Sequence, residues 1–274
     1  MLRPDVVKEV QDLRYLKWTR ARESSGTAGS YLKSFEIRDG KKIYYKLSAY
    51  DSIRGITGHE SVNELIADRL LTCLGIEHVS YQLIHATVLV EGQEVTTWVC
   101  ASENFRLPGE NKMALDTFYD LHHQKGEKPL DFCVRYGWDK YLYEMLVVDF
   151  LILNRDRHGA NMEVLLDVKN NQFRLAPLFD HGLSLVYSCK DEETLAKFDV
   201  MADLPVQCYV GSRSATENLK LVPGEQFRAL RPLEERDGSL IFKDLEECLP
   251  AAYAEKIRNM IWKRWQYCEN LFHS

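Results

Sequence analysis

Hydrophobic and polar positions along the chain change their period near residue 104. Before it, short alternating stretches surround one long amphipathic segment; after it, apolar positions recur mostly at helical spacing. Pro4 followed by Val6, Val7, Val10 and Leu13 predicts a short amphipathic helix with proline in its first turn. Residues 15–20 and 31–37 read as strands on either side of a loop of small and hydroxyl residues. Residues 42–48 read as another, with Ile43, Tyr45 and Leu47 on one face and Tyr44, Lys46 and Ser48 on the other. Residues 59–74 carry Val62, Leu65, Ile66, Leu70, Leu71 and Leu74 as a helical stripe that Gly75 is suited to end. Residues 80–90 and 94–100 pair across a turn at 91–93. The period is lost over 100–105, and Pro108-Gly109-Glu110-Asn111 is a loop. The expected organisation is therefore a β-rich N-lobe with one helix pair over 1–104 and a mostly helical C-lobe over 105–274.

In the second lobe, residues 115–123 and 130–136 predict short helices, and the adjacent His122 and His123 read as a surface pair. Residues 138–153 predict a long helix, apolar nearly all round towards its end and so central to the lobe. Asp149 inside it reads as structural or as a partner for the next loop. That loop carries Asn154, Arg155, Asp156, Arg157, His158 and Asn161. Two alternating runs, 162–167 and 172–178, then form a hairpin that returns the chain to Asp180 and Gly182. Asp156, Asn161 and Asp180 thus gather at one end of the hairpin. Residues 183–222 are long and mixed, and 249–272 predict a closing helix. The fold class is α+β.

Composition narrows the possibilities. The chain has 274 residues, 45% hydrophobic and 28% charged, enough for two lobes with a sizeable core. A net charge of −6 without a Lys/Arg-rich block argues against direct nucleic-acid binding and against an anionic membrane surface. No apolar run is long enough to span a bilayer, and residues 1–10 lack a signal-peptide pattern. The 7 cysteines are scattered without CxxC spacing, as reduced thiols of a cytoplasmic protein. No zinc site is expected.

The gathered oxygens suit phosphoryl transfer. One carboxylate receives or orients the attacking hydroxyl, while an amide and a second carboxylate hold Mg²⁺ against the phosphates of ATP. Magnesium takes hard oxygen ligands and few of them from protein, so one Asn and one Asp suffice. Upstream, Lys46 reaches the α/β-phosphates if its face of the strand lines a cleft. Glu60 and Glu64, one helical turn apart, are the residues able to hold that lysine, and Glu64 is preferred. Ser25, Gly26, Thr27, Ala28, Gly29 and Ser30 form a loop whose backbone N–H groups can approach phosphate oxygens; it is not a Walker A motif, since no Gly-Lys-Ser/Thr follows.

With these residues placed, Asn154-Arg155-Asp156-Arg157-His158-Gly159-Ala160-Asn161 followed by Asp180-His181-Gly182 resembles the HipA-like Ser/Thr kinase family, itself related to phosphatidylinositol 3- and 4-kinases. The resemblance runs from about Ser24 to the C-terminal helix. It implies a bilobal protein-kinase-like fold with Asp156 as catalytic base, Asn161 and Asp180 on Mg²⁺, and Lys46 on the ATP phosphates. Arg157 and His158 would support the catalytic loop or the transferred phosphate. It also implies autophosphorylation of a phosphate-loop Ser or Thr, among Ser24, Ser25, Thr27 and Ser30. Full-length HipA toxins carry an additional N-terminal subdomain that contacts a helix-turn-helix antitoxin. This chain begins too close to its phosphate loop to hold one and resembles the compact, stand-alone members. The expected function is an ATP- and Mg²⁺-dependent protein Ser/Thr kinase; the alternatives are a small-molecule or phosphoinositide kinase, and a pseudokinase or toxin-like module held by a partner.

Overall fold

A computed structural model describes residues 4–19 and 31–273. The expected phosphate loop, Ser25, Gly26, Thr27, Ala28, Gly29 and Ser30, lies outside the described residues. Twelve strands are described: β1 (Val6–Asp12), β2 (Lys33–Arg38), β3 (Lys41–Lys46), β4 (Tyr50–Asp51), β5 (Gly55–Ile56), β6 (Tyr81–Val90), β7 (Gln93–Glu103), β8 (Glu110–Ala114), β9 (Asp156–Arg157), β10 (Glu163–Asp167), β11 (Gln172–Leu175) and β12 (Gln207–Cys208). The helices among the same residues are α1 (Glu60–Leu74), α2 (Leu115–His122), α3 (Pro129–Arg135), α4 (Asp139–Leu151), α5 (Glu192–Lys197), α6 (Ala215–Leu219), α7 (Gly224–Arg228), α8 (Glu235–Ile241) and α9 (Ala251–His273). The molecule is α+β, rich in sheet before residue 104 and helical after it.

Two expectations near the N-terminus are corrected. Residues Val6–Asp12 form a strand, parallel to β6 with Val6 opposite Leu83, and not a helix. The helical stripe was a coincidence of spacing: Val6 and Leu13 are buried, but Val10 is 54% exposed. Three β-branched valines favour an extended chain once a neighbouring edge is available, and β6 supplies it. Among the described residues of the sheet-rich part, α1 is consequently unpaired with a second helix. The chain turns at residues 14–16 and residues 15–18 form no strand, while Thr19 makes a single bridge to Lys33.

The sheet order β1-β6-β7-β3-β2 places β3, with Lys46, beside the long hairpin β6–β7. That hairpin turns on Glu91 and Gly92, both at positive φ, the backbone of a tight two-residue turn whose twist matches the strands. Helix α1 packs across β6 and β7 on one side and against α8 on the other, which buries nearly every residue from Glu60 to Leu71. Its first turn is capped from β3's end: the Ser48 Oγ accepts the Ser61 N–H at 2.9 Å. Gly75 ends it in the left-handed conformation, at φ 73°.

Helix α4 runs through the middle of the second part, with Leu142 and Met145–Leu151 buried, and α9 packs against it. The buried Arg264 of α9 donates to the Phe150, Val200 and Ala202 carbonyls, at 2.9, 2.7 and 2.8 Å, and so fastens the end of α4 to the 200–202 segment. Among the described residues no helix is long and apolar enough to cross a membrane.

Candidate active site

The loop after α4 owes its shape to Asp149, a carboxylate set into an apolar helix. Its Oδ1 accepts from Asn154 Nδ2 at 2.9 Å, and both of its oxygens accept from the Arg157 guanidinium at 2.9 Å. Arg157 is 1% exposed. Its remaining nitrogen reaches the carbonyls of Asn161, at 3.3 Å, and Phe179, at 3.0 Å. One buried guanidinium therefore joins the helix, the loop and the residue preceding Asp180. Arg157 is buried, and each of these bonds is to the helix, the loop or the Phe179 carbonyl.

Asn154 adds a second tie, since its Oδ1 accepts the Asp156 N–H at 3.1 Å. Asp156 then lies on β9, paired in parallel with β12. The His158 Nδ1 accepts the Ala160 N–H at 3.2 Å and opens a single 3₁₀ turn over Gly159–Asn161; its Nε2 is 3.6 Å from Asp156 Oδ1. Gly159 is required here, because a Cβ would sit 2.6 Å from that of Asp116. The turn brings Asn161 back onto Asp156: its Nδ2 donates to the Asp156 carbonyl at 2.7 Å and to the carboxylate Oδ2 at 3.3 Å. The β10–β11 hairpin, extended by β8, returns the chain to Asp180.

Asp180 adopts φ 61°, in the left-handed region, and its Oδ1 is bonded by the Lys46 Nζ. The same ammonium bonds Glu64 Oε1. Glu64 is 1% exposed, and its other oxygen accepts the His181 N–H at 2.8 Å. Of the two glutamates considered, Glu64 therefore meets the lysine. Glu60 instead accepts from the Tyr31 hydroxyl at 3.3 Å and the Ala49 N–H at 3.0 Å. Burial alone would push the Lys46 ammonium down; the Asp180 and Glu64 carboxylates more than reverse this, so its pKa lies well above the usual lysine value. Glu64→Gln should keep the shape but weaken the hold on Lys46. We expect kcat/KM for phosphoryl transfer to fall by up to about 10²-fold, with the fold intact by circular dichroism.

Lys46, Asn161 and Asp180 line a cleft of about 520 Å³, together with Tyr81, Cys100 and Phe179. The volume is that of a site for a nucleotide-sized ligand. Among the described residues no cluster of three or more His, Cys, Asp or Glu side chains is poised to hold a metal alone. An Asn–Asp pair fits Mg²⁺ in the way that leaves most positions to phosphate and water. Asn161 spends its amide nitrogen on Asp156, so its oxygen is the atom of that group suited to a hard cation.

Sequence reasoning missed the groups that hold this arrangement from behind. Asn63 of α1 donates to the Gly182 and Ser184 carbonyls, at 3.0 and 3.1 Å. Asp68, five residues later, clamps residues 78–81: Oδ1 lies 2.7 Å from His78 Nε2, and Oδ2 accepts the Tyr81 N–H at 2.6 Å. A polar residue within the helix's buried girth was the available signal. Burial pushes the His78 imidazole down, but bonds to Asp68 and to the Ile76 carbonyl outweigh it, so the ring keeps its proton above the usual histidine value. The raised folded value means that this pair's contribution is complete below about pH 6.5 and is lost as pH rises through the folded pKa. Melting temperature measured from pH 6 upwards should show that decline, and His78→Gln should lack it.

No family model matches the chain, and no curated protein matches it in sequence. In fold it is similar to a Helicobacter pylori proinflammatory kinase, CtkA, with a TM-score of 0.68 and 13% identity over 96% of this chain and 97% of that one. Looser matches are the Shewanella oneidensis HipA, solved with HipB and operator DNA, and WaaP, solved with an acyl carrier protein. Their TM-scores are 0.48 and 0.39, each at 15% identity; the first covers 89% of this chain and 64% of that one, the second 90% of both. Neither is close enough to build on. The fold is kinase-like.

Proposed function

We propose that the chain is an ATP-dependent phosphotransferase acting on protein Ser or Thr hydroxyls. The observation that carries the proposal is the convergence of Lys46, Glu64 and Asp180 at one cleft, tied to the Asp156–Asn161 pair through Arg157, which bonds the Asn161 and Phe179 carbonyls. Lys46 holds the α/β-phosphates of ATP, and Glu64 holds Lys46. Asp156 accepts the proton of the incoming hydroxyl while that hydroxyl's oxygen bonds the γ-phosphorus, the bond from the γ-phosphorus to the β–γ bridging oxygen breaks, and ADP leaves with that electron pair. Asn161 and Asp180 would hold Mg²⁺, whose chemistry here is neutralisation of the phosphate charge. Arg157, through Asp149, keeps Asp156 and Asn161 in register. A fixed loop on a buried helix suits this reaction, in which positioning supplies most of the rate.

Phosphoproteomics of cells producing the wild-type chain, compared with an Asp156→Asn variant, tests the assignment. New phosphoserine or phosphothreonine only with the wild type is expected, including on residues 24–30 of the chain itself. Label transferred to a lipid or small molecule and to no protein would move the substrate class; no transfer to anything would end the enzymatic reading.

A further inference from the structure

Asp180 stands at the end of a short parallel ladder between two segments far apart in sequence. His78 pairs with Leu178: the Leu178 N–H donates to the Glu77 carbonyl at 3.3 Å, and the Val79 N–H to the Leu178 carbonyl at 2.8 Å. Continued regularly, the next rung would run from the Asp180 N–H to the Val79 carbonyl. The chain leaves the extended conformation there, at φ 61°, and the Asp180 N–H goes instead to the Tyr81 hydroxyl at 3.3 Å.

Left-handed backbone is uncommon for a residue with a side chain and has to be held by its surroundings. The Tyr81 phenol is well placed to do so. It is 9% exposed and packs with Val79, Cys100, Phe105 and Phe179 at the cleft floor. Its own backbone N–H is fastened to Asp68 of α1 at 2.6 Å, and the same carboxylate holds His78, which stands in the ladder.

We infer that Tyr81 is a positioning residue for the metal-binding aspartate: its hydroxyl takes over the ladder's last rung and sets the turn that aims the Asp180 carboxylate into the cleft. This rests on the proposed function for the role of Asp180, and extends it to a residue that touches neither phosphate nor the reacting hydroxyl. The removal of one hydroxyl tests it. Tyr81→Phe keeps the ring and its packing, so the melting temperature should move little.

Two readouts separate the causes. ATP binding by calorimetry, with Mg²⁺ and in EDTA, should show the Mg²⁺-linked gain in affinity reduced by about three- to tenfold in Tyr81→Phe, the worth of one hydrogen bond. Affinity in EDTA should be unchanged. Hydrogen exchange of the peptide containing Asp180, in the nucleotide-free protein, should quicken at that amide. A wild-type Mg²⁺-linked gain, or unaltered exchange at Asp180, overturns the inference about Tyr81. A wild-type chain whose ATP binding is indifferent to Mg²⁺ overturns the assignment of Asp180, and the role of Tyr81 in metal placement with it, while faster exchange in the variant would still locate the bond.

Discussion

Replacing Asp156 by alanine is expected to lower phosphoryl transfer by roughly 10²- to 10⁴-fold, the range for losing a positioned general base, while ATP affinity stays near that of the wild type. The separation follows from the geometry. Lys46 bonds Glu64 and Asp180, and Glu64 bonds the His181 N–H, so these groups are held to one another by bonds of their own. Asn161 would lose its 3.3 Å bond to the carboxylate but keep the 2.7 Å bond to the Asp156 carbonyl, so the Gly159–Asn161 turn survives. Single-turnover transfer and equilibrium ATP binding, measured on the same preparation, check this. Full activity in Asp156→Ala would remove the base from the mechanism; equal losses of binding and rate would show instead that the loop had collapsed.

The second large effect is on stability. Arg157→Met should cost about 3–5 kcal/mol, because it strips a buried carboxylate of its cation. Asp149 would keep the Asn154 amide but lose both guanidinium bonds, and the Asn161 and Phe179 carbonyls would lose theirs. Against a total stability of about 5–15 kcal/mol for an ordinary domain, that is a severe loss. Urea unfolding measures it. Arg157→Lys should not rescue, since an ammonium cannot bond both oxygens in the fork geometry of a guanidinium. Asp149→Asn combined with Arg157→Met should recover part of the loss, as no uncompensated charge is left behind. A cost below about 1 kcal/mol for Arg157→Met, the scale of an exposed pair, would mean that the pair does not organise the loop.

Much of this arrangement was legible along the chain, for reasons that differ by element. Helix α1 carries an unbroken stripe from Val62 to Leu74 and a glycine stop, and local periodicity is enough for that. The hairpin linking Asn161 to Asp180 is a local object too, with both strands and the turn close in sequence. Lys46 and Glu64 are each ambiguous alone, and only the pair, on a strand and the following helix, carries meaning. What escaped depends on partners distant in sequence. Val6, Val10 and Leu13 satisfy a helical stripe, and only the edge of β6 decides for a strand. Tyr81 looks like any strand aromatic until the fold brings Asp180, 99 residues away, onto its hydroxyl. Asp149 was the intermediate case: a carboxylate in an apolar helix announces that some cation must meet it, without saying which.

Helix α1 has a consequence beyond holding Lys46. Its buried residues from Val62 to Leu74 belong to the same hydrophobic core as α4 and α9, while the far face of the sheet keeps a smaller cluster of its own. Arg69 strengthens the join, with bonds to Asp5 at 2.8 Å and to the Ile241 and Lys243 carbonyls at 3.0 and 2.6 Å. A sheet-rich part and a helical part that share one core cannot melt independently: exposing the apolar stripe of α1 removes the packing surface of both at once. Cooperativity is thereby built into the architecture, and any ligand bound in the cleft would stabilise the chain from end to end.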